Sequence, residues 1–336
     1  MMHRRKIARH LIGILMATFA SLLFATCGGV GTDVAGGGTG GTGISTGSIT
    51  GFGSVVVNGM HYLTDDEVSP TFVTRKKFNG MDNTSMRAHE LLRVGMIVTI
   101  RHEPGVNNAQ SIEYRDNLEG PIAAINAGAE NILTILGQTV VVDNTALFSS
   151  LNQNDVVRVS GHVDSAGRIR ATYIDMVPCS FMMMCPVTEF EIKGFVSGFS
   201  SSDFRIGPLP DGTGTTVTVS YPPAMGAELE NGMYVRVDTT DPQPVSGVIT
   251  ATRIQILTPR TDFPENAAVA LEGLVTAPPI GSGSLLSFEV EGKRVQTDGG
   301  TQYSGGTSAN LQPDVKLQVQ GTENGGILSA GSIIFR

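Results

Sequence analysis

The sequence predicts an all-β protein, a tandem array of four small OB-like five-stranded β-barrels, from three observations: a fourfold repeat, strand-type composition and turn residues at fixed offsets. In each copy a glycine precedes an apolar or aromatic residue by three positions, as Gly59/Tyr62, Gly137/Val140, Gly214/Val217 and Gly292/Val295. These glycines are 78, 77 and 78 residues apart, a domain-sized period, and a fixed period is the signature of repeat architecture. A leucine follows, with Gly, Asn or Asp three residues on and β-type residues six and eight on: Leu92/Gly95/Val98/Ile100, Leu151/Asn154/Val157/Val159, Leu229/Gly232/Val235/Val237 and Leu311/Asp314/Leu317/Val319. Each copy closes on an alanine and an isoleucine three apart: Ala109/Ile112, Ala171/Ile174, Ala251/Ile254 and Ala330/Ile333.

Each element has a local cause. Thr139 to Asp143, Val156 to Val159 and Val315 to Val319 are short, rich in Val and Thr, and bounded by Gly, Asn or Asp, which is how half-buried antiparallel strands read. Gly95, Asn154, Gly232 and Asp314, just before each fourth strand, tolerate positive φ and predict a tight turn. Between the third and fourth strands, segments such as Ser85 to Leu92 and Ala224 to Leu229 have room for a helical turn or two. Three strands, a short helix and two strands in about 70 residues is the order of an OB barrel, which closes its sheet edges.

The N-terminus predicts export. Arg4, Arg5, Lys6 and Arg9 precede an apolar run from Leu11 to Ala25, the pattern of a secretory signal and too short for a spanning helix. Cys27 ends the signal and reads as a lipoprotein acceptor, with Thr26 before it where a smaller residue is usual. Gly28 follows without the Asp that retains lipoproteins at the inner membrane, so the expected destination is the outer membrane, with its lipid as the anchoring partner. Ten of residues 28 to 47 are glycine, a flexible tether with an expected span of ~25 Å. GxGxxG at Gly38/Gly40/Gly43 and GxSxG at Gly43/Ser45/Gly47 lack the strand and helix that give those patterns meaning.

Removing the signal leaves 19 Lys plus Arg against 31 Asp plus Glu, a net charge of −12. Single-stranded nucleic acid is held by a positive groove and stacking aromatics; this chain has the wrong sign, no Trp and only 6% aromatic residues. Nucleic acid is therefore excluded as a partner.

The opening Thr46-Gly47-Ser48-Ile49-Thr50-Gly51-Phe52-Gly53-Ser54 with Val55-Val56-Val57-Asn58-Gly59, and the closing Gly167-Arg168-Ile169-Arg170-Ala171-Thr172-Tyr173-Ile174, resemble the bacterial lipoprotein repeat family known as domain of unknown function 5666. The resemblance covers nearly all of residues 46 to 336, more loosely in copies 3 and 4, and implies an exported β-barrel module without catalytic residues to carry over. The expected organisation is a signal over 1–26, a tether over 27–46, and copies over 47–115, 118–177, 190–257 and 270–336. Modules this small bury only about 60% of their unfolded surface, so neighbours are expected to pack into a stiff rod.

Three segments depart from the repeat. The joint between copies 2 and 3 carries Cys179, Met182, Met183, Met184 and Cys185. In an oxidising compartment the two cysteines predict a disulfide, and the alternative is a soft-metal site, since thiolates and thioethers select copper(I). Copy 1 holds an insertion, 33 residues from Gly59 to Leu92 against 14, 15 and 19 in the others. It contains Arg75, Lys76 and Lys77, which read either as a solvated loop or as an anionic-ligand contact. Thr64-Asp65-Asp66-Glu67 lacks calcium-loop spacing and reads as a polar strand end. The favoured function is a non-enzymatic envelope lipoprotein, without cofactor, that presents its modules to an envelope protein or glycan or acts as a spacer. The alternative is a periplasmic copper-handling or redox protein.

Overall fold

The computed structural model describes residues 43–68, 71–177, 189–226 and 228–336. It is all-β, 53% strand and 5% helix. Copy 1 comprises β1 (Gly43–Gly51), β2 (Val55–Val57), β3 (Met60–Tyr62), β4 (Arg75–Phe78), β5 (Met81–Asp82), helix α1 (Ala88–Leu91), β6 (Ile97–His102) and β7 (Ala109–Tyr114). Copy 2 comprises β8 (Leu118–Asn126), β9 (Ile132–Ile135), β10 (Gln138–Val141), α2 (Thr145–Ser150), β11 (Val156–Val163) and β12 (Ile169–Met176). Copy 3 has β13 (Phe190–Ser197), β14 (Asp203–Gly207), β15 (Val217–Ser220), a 3-10 turn (Pro223–Met225), β16 (Tyr234–Thr239) and β17 (Val248–Leu257). Copy 4 has β18 (Ala268–Ser282), β19 (Leu285–Val290), β20 (Lys293–Gln296), β21 (Gln302–Ser304), a 3-10 turn (Ser308–Asn310), β22 (Lys316–Asn324) and β23 (Ile327–Phe335).

Within copy 2, β8 pairs with β9, β9 with β10, β10 runs parallel to β12, and β11 lies antiparallel to both β12 and β8. The corresponding strands of copies 3 and 4 pair in the same order. The expectation of four separate OB-like barrels in tandem is nonetheless corrected. The strands follow a solenoid-like course of about 8 turns, carried through two continuous sheets of 13 and 10 strands. Copies 1 and 4 share the larger sheet through the parallel pair β1–β18, Gly43↔Ala268 to Thr46↔Leu271. Copies 2 and 3 share the other through β13 and β8, Glu191↔Glu119 and Ile192↔Leu118. Nor is the array a rod, because its last copy returns to pair with its first.

The repeat anchors acquire physical causes. Gly59, Gly137, Gly214 and Gly292 have φ of 76°, 78°, 82° and 71°, and Gly95, Asn154, Gly232 and Asp314 have φ of 92°, 72°, 85° and 67°. The tight turns expected before each fourth strand are thus present. Asn58-Gly59, Leu136-Gly137 and Glu291-Gly292 form two-residue hairpins with both φ values positive, the geometry that matches the strand twist. The leucine anchors Leu92, Leu151, Leu229 and Leu311 are buried just after the helical turns.

The Ala-x-x-Ile anchor marks a β-bulge. Residues three apart on a regular strand face opposite sides, so one of each pair would point away from the core. In the pairing of each closing strand the register skips one residue, Gln110, Thr172, Thr252 or Gly331. An extra residue at a bulge restores the side, so Ala109 and Ile112, and Ala330 and Ile333, are all buried. One apolar cluster spans copies 2 and 3, from Leu118, Val157 and Ile169 to Phe204, Val235 and Ile249. Copies 1 and 4 have largely separate clusters, although Ile44 of β1 packs into that of copy 4.

Candidate functional site

Two networks of buried charge lie where copies meet. Asp116, between β7 and β8, is 2% exposed and is held from three copies. Asn79 Nδ2 of copy 1 donates to Asp116 Oδ2 at 2.6 Å, Arg158 of copy 2 lies 3.0 Å from the same oxygen, and Lys193 of copy 3 bonds to Oδ1. Lys193 also bonds to Glu191, which pairs with Arg236 at 2.6 Å; Arg236 continues to Asp238 at 2.6 Å. Burial opposes ionisation of Asp116, but the Lys193 and Arg158 charges outweigh it and hold its carboxyl below the usual range. Burial and the Asp116 charge push Glu191 up to about 7.

His162 of β11 occupies a second three-copy junction. Its Nδ1 lies 3.0 Å from Glu291 Oε1 and its Nε2 lies 3.3 Å from Glu272 Oε1, both in copy 4. Ser48 of copy 1 donates to Glu272 Oε1 through its hydroxyl at 2.6 Å and its backbone N–H at 3.1 Å, and Lys316 lies 3.1 Å from that oxygen. Burial works against a charged His162, but the charge and hydrogen bond of Glu291 and the Glu272 carboxylate beside Nε2 raise its pKa above the ordinary value. Burial opposes ionisation of Glu272 as well, yet His162, Lys316 and Ser48 hold its pKa far below the usual range. Glu291 reaches the ring from a hairpin position at φ 53°, a conformation costing a non-glycine residue about 1–2 kcal/mol. Its carboxylate also accepts from the backbone N–H of Val163 at 3.2 Å.

Glu119, Lys193 and Glu272 stand at one repeat position, immediately before a strand glycine, Gly120, Gly194 or Gly273. Outward-facing charges at that position look solvated in the sequence; in the fold they face another copy or a cross-strand partner. This is the signal that reading the sequence missed.

The expected anionic contact at Arg75, Lys76 and Lys77 is not a single cluster. These residues lie on β4, parallel to β7 with Lys76 opposite Ile112, and not on an irregular loop. Strand alternation sends Lys76 inward, 2% exposed, with its Nζ 2.8 Å from both Asp65 oxygens and 3.0 Å from the Thr74 carbonyl. Arg75 and Lys77 face solvent. The acidic run has its own uses: Asp65 neutralises Lys76, and the Glu67 carboxylate accepts from Thr64 N–H at 2.7 Å. Cys27, and the joint residues Cys179, Met182, Met183, Met184 and Cys185 with their expected disulfide or copper site, lie outside the described residues. Among the described residues no three His, Cys, Asp or Glu side chains are placed to hold a metal ion.

A cleft of about 170 Å³ opens between the outer face of β6 and β7 and the segment joining copies 3 and 4, lined by Thr99, Arg101, Glu113, Arg115, Arg260 and Asp262 among others. Arg115 is fixed there, 2.6 Å from Glu113 Oε1 and donating to the Thr258 carbonyl at 2.5 Å.

Residues 119–175 and 272–333, most of copies 2 and 4, match the family model described as "Domain of unknown function (DUF5666)", the family that the repeat anchors resemble. No curated protein is significantly similar to the chain. Among solved structures, a deletion mutant of the single-stranded DNA binding protein from Thermus aquaticus is 13% identical with a TM-score of 0.23, covering 44% of this chain and 94% of that one. The p204 HINb domain is 14% identical with a TM-score of 0.16, covering 43% and 100%. A Drosophila Unr structure is 16% identical with a TM-score of 0.17, covering 50% and 79%.

Proposed function

We propose that this chain, two of whose segments belong to the DUF5666 family, is an exported, lipid-anchored envelope protein whose four copies act as one rigid, non-catalytic unit that presents its surface to a protein or glycan partner. The observation that carries the reading is the use of Asp116, which meets groups from three copies, and of His162, which meets two carboxylates of copy 4, one of them also held by Ser48 of copy 1. A partner that removed either charge would leave the other side buried and unpaired, at a cost of about 3–5 kcal/mol, so these groups act as joints. The anchor rests on the basic and apolar run that ends at Cys27, with outer-membrane lipid as its partner. Among the described residues no helix is long and apolar enough to cross a membrane.

Calorimetry of the full mature chain tests the unit: one transition, with equal calorimetric and van't Hoff enthalpies, is expected, and four resolved transitions would refute it. Metabolic labelling with palmitate tests the anchor. Label on the wild-type chain and none on Cys27→Ala is expected; an unlabelled wild type would end that part of the proposal.

A further inference from the structure

Three lysines are buried among the described residues, and one differs from the others in its company. Lys76 pairs with Asp65 and Lys293 with Glu323, one carboxylate each, whereas Lys193 meets two, Asp116 and Glu191. The side chains of Lys193, Asp116 and Glu191 are only 2%, 0% and 9% exposed, so the three groups meet almost out of reach of water. The backbone holds them there. Glu191 and Lys193 stand two apart on β13 and share a face. The Lys193 N–H donates to the Asn117 carbonyl at 3.0 Å, and the Asn117 N–H to the Val159 carbonyl at 2.7 Å, which fixes the neighbouring Asp116. The two oxygens of Asp116 have different surroundings. Oδ1 faces Lys193, whereas Oδ2 accepts from Asn79 Nδ2 at 2.6 Å and lies 3.0 Å from Arg158.

We propose that Lys193 and Asp116 condense into an intramolecular amide, with Glu191 as the proton carrier. The Nζ–Cγ bond forms, the Cγ–Oδ1 bond breaks and Oδ1 leaves as water. The ion pair seen in the structure is the precursor: burial opposes both charges, and their mutual attraction overrides it, lowering the pKa of Asp116 and raising that of Lys193. Passing one Nζ proton to Oδ1 converts the pair to an amine and an acid without changing the net charge, and burial narrows the gap between the two forms because it penalises ions. The amine then attacks Cγ while Asn79 and Arg158 stabilise the negative charge that gathers on Oδ2. Burial and Asp116 push Glu191 up to about 7, so near neutral pH it can give its proton to the departing oxygen and take one back from the nitrogen. Of the three ammonium hydrogens, one stays on nitrogen and two leave in the water, and Glu191 is restored. Fixed groups of this kind reach effective concentrations of about 10⁵ M or more, and exclusion of water protects the product from hydrolysis. Condensation removes one charge of each sign, after which Arg158 keeps Glu119 at 2.5 Å and Glu191 keeps Arg236 at 2.6 Å. The bond ties the link between copies 1 and 2 to copy 3 and is independent of the lipid anchor and of any partner; titration of Glu191 under the Asp116 charge belongs to the unreacted chain.

Mass spectrometry of the full mature chain carrying Cys27→Ala, folded at neutral pH and then reduced and denatured, tests the bond. The mass is expected to fall short of the sequence mass by one water. Trypsin should then release a branched peptide joining residues 116–158 to 171–205, because a linked Lys193 is no longer cleaved. Lys193→Arg keeps the positive charge and cannot condense in this way, so it should show the full mass and no branched peptide. Glu191→Gln, which cannot carry the proton, should slow formation of the bond by about a hundredfold or more. The wild-type measurement needs no variant, so it decides the matter even where a variant fails to fold. A full wild-type mass without the branched peptide would overturn the proposal, and a bond formed as fast in Glu191→Gln would overturn the role given to Glu191.

Discussion

His162 and Glu291, 129 residues apart in sequence, meet at 3.0 Å between Nδ1 and Oε1 and lock copy 2 to copy 4. The folded-state pKa of His162 is raised above an unfolded value of about 6.5. Its contribution to stability is therefore complete below that value and is lost as pH rises through the folded pKa. His162→Gln should lower Tm most in mildly acidic buffer, with the gap to wild type narrowing on the alkaline side. A gap that stays constant with pH would show that folding leaves the affinity of the ring for its proton unchanged.

Glu272 titrates in the opposite sense. Its folded pKa is depressed, so its contribution is present above about 4.3 and is lost as pH falls through the folded value. Glu272→Gln should cost about 3–5 kcal/mol near neutral pH, read by urea unfolding, and less under strong acid. Equal losses at both pH values would contradict the ion-pair account.

The Asp116 junction makes Glu191 a reporter of Asp116. Burial and the Asp116 charge set the Glu191 carboxyl at about 7, so between about 4.3 and 7 the fold keeps a proton that the unfolded chain releases, and stability falls as pH rises through that window. Asp116→Asn should move the Glu191 titration, followed by carboxyl carbon NMR, to lower pH. A midpoint unchanged near 7 would show that burial alone sets it.

Two glycines at one repeat position give a matched comparison. At Gly95, φ 92°, an added Cβ would lie 2.1 Å from the Thr172 carbonyl oxygen of copy 2, whereas at Gly232, φ 85°, it would meet nothing within 4 Å. Gly232→Ala should cost only the left-handed backbone, about 1–2 kcal/mol. Gly95→Ala should cost clearly more, because it forces copy 1 from copy 2. Equal losses in denaturant unfolding would mean that the two copies do not touch there.

The bulges predict an asymmetry among deletions. Removing Thr172, the residue the register skips, would leave Ala171 and Tyr173 opposite Gly161 and Ser160 as a regular ladder with Ile174 still inward, so unfolding should stay cooperative. Removing both Thr172 and Tyr173 would send Ile174 to the outer side and should abolish cooperative unfolding. A single deletion as damaging as the double one would refute the register assignment.

How much of this was legible depends on where each constraint acts. Gly59, Gly95, Asn154 and Asp314 were readable because a positive φ restricts the residue at its own position. Ala171 and Ile174 were visible as a repeated pair, but their cause lies in a skipped residue on a paired strand, which a linear pattern does not display. Glu119, Lys193 and Glu272 resembled solvated charges because their partners are far along the chain, as Ser48 is from Glu272. Lys76 was misread for the same reason: whether a lysine in a basic run faces water depends on the strand beside it, here β7. The pairing of copy 1 with copy 4 had no local trace.

That pairing governs how the molecule bears mechanical load. Tension entering through the segment before Gly43 arrives on β1, which is hydrogen-bonded on one side to β6 and on the other to β18. A pull along the axis of β1 would load the bonds of both ladders in shear together and would not peel them open one after another. Force applied there is thus divided between the first and last copies, which act as the two jaws of a clasp.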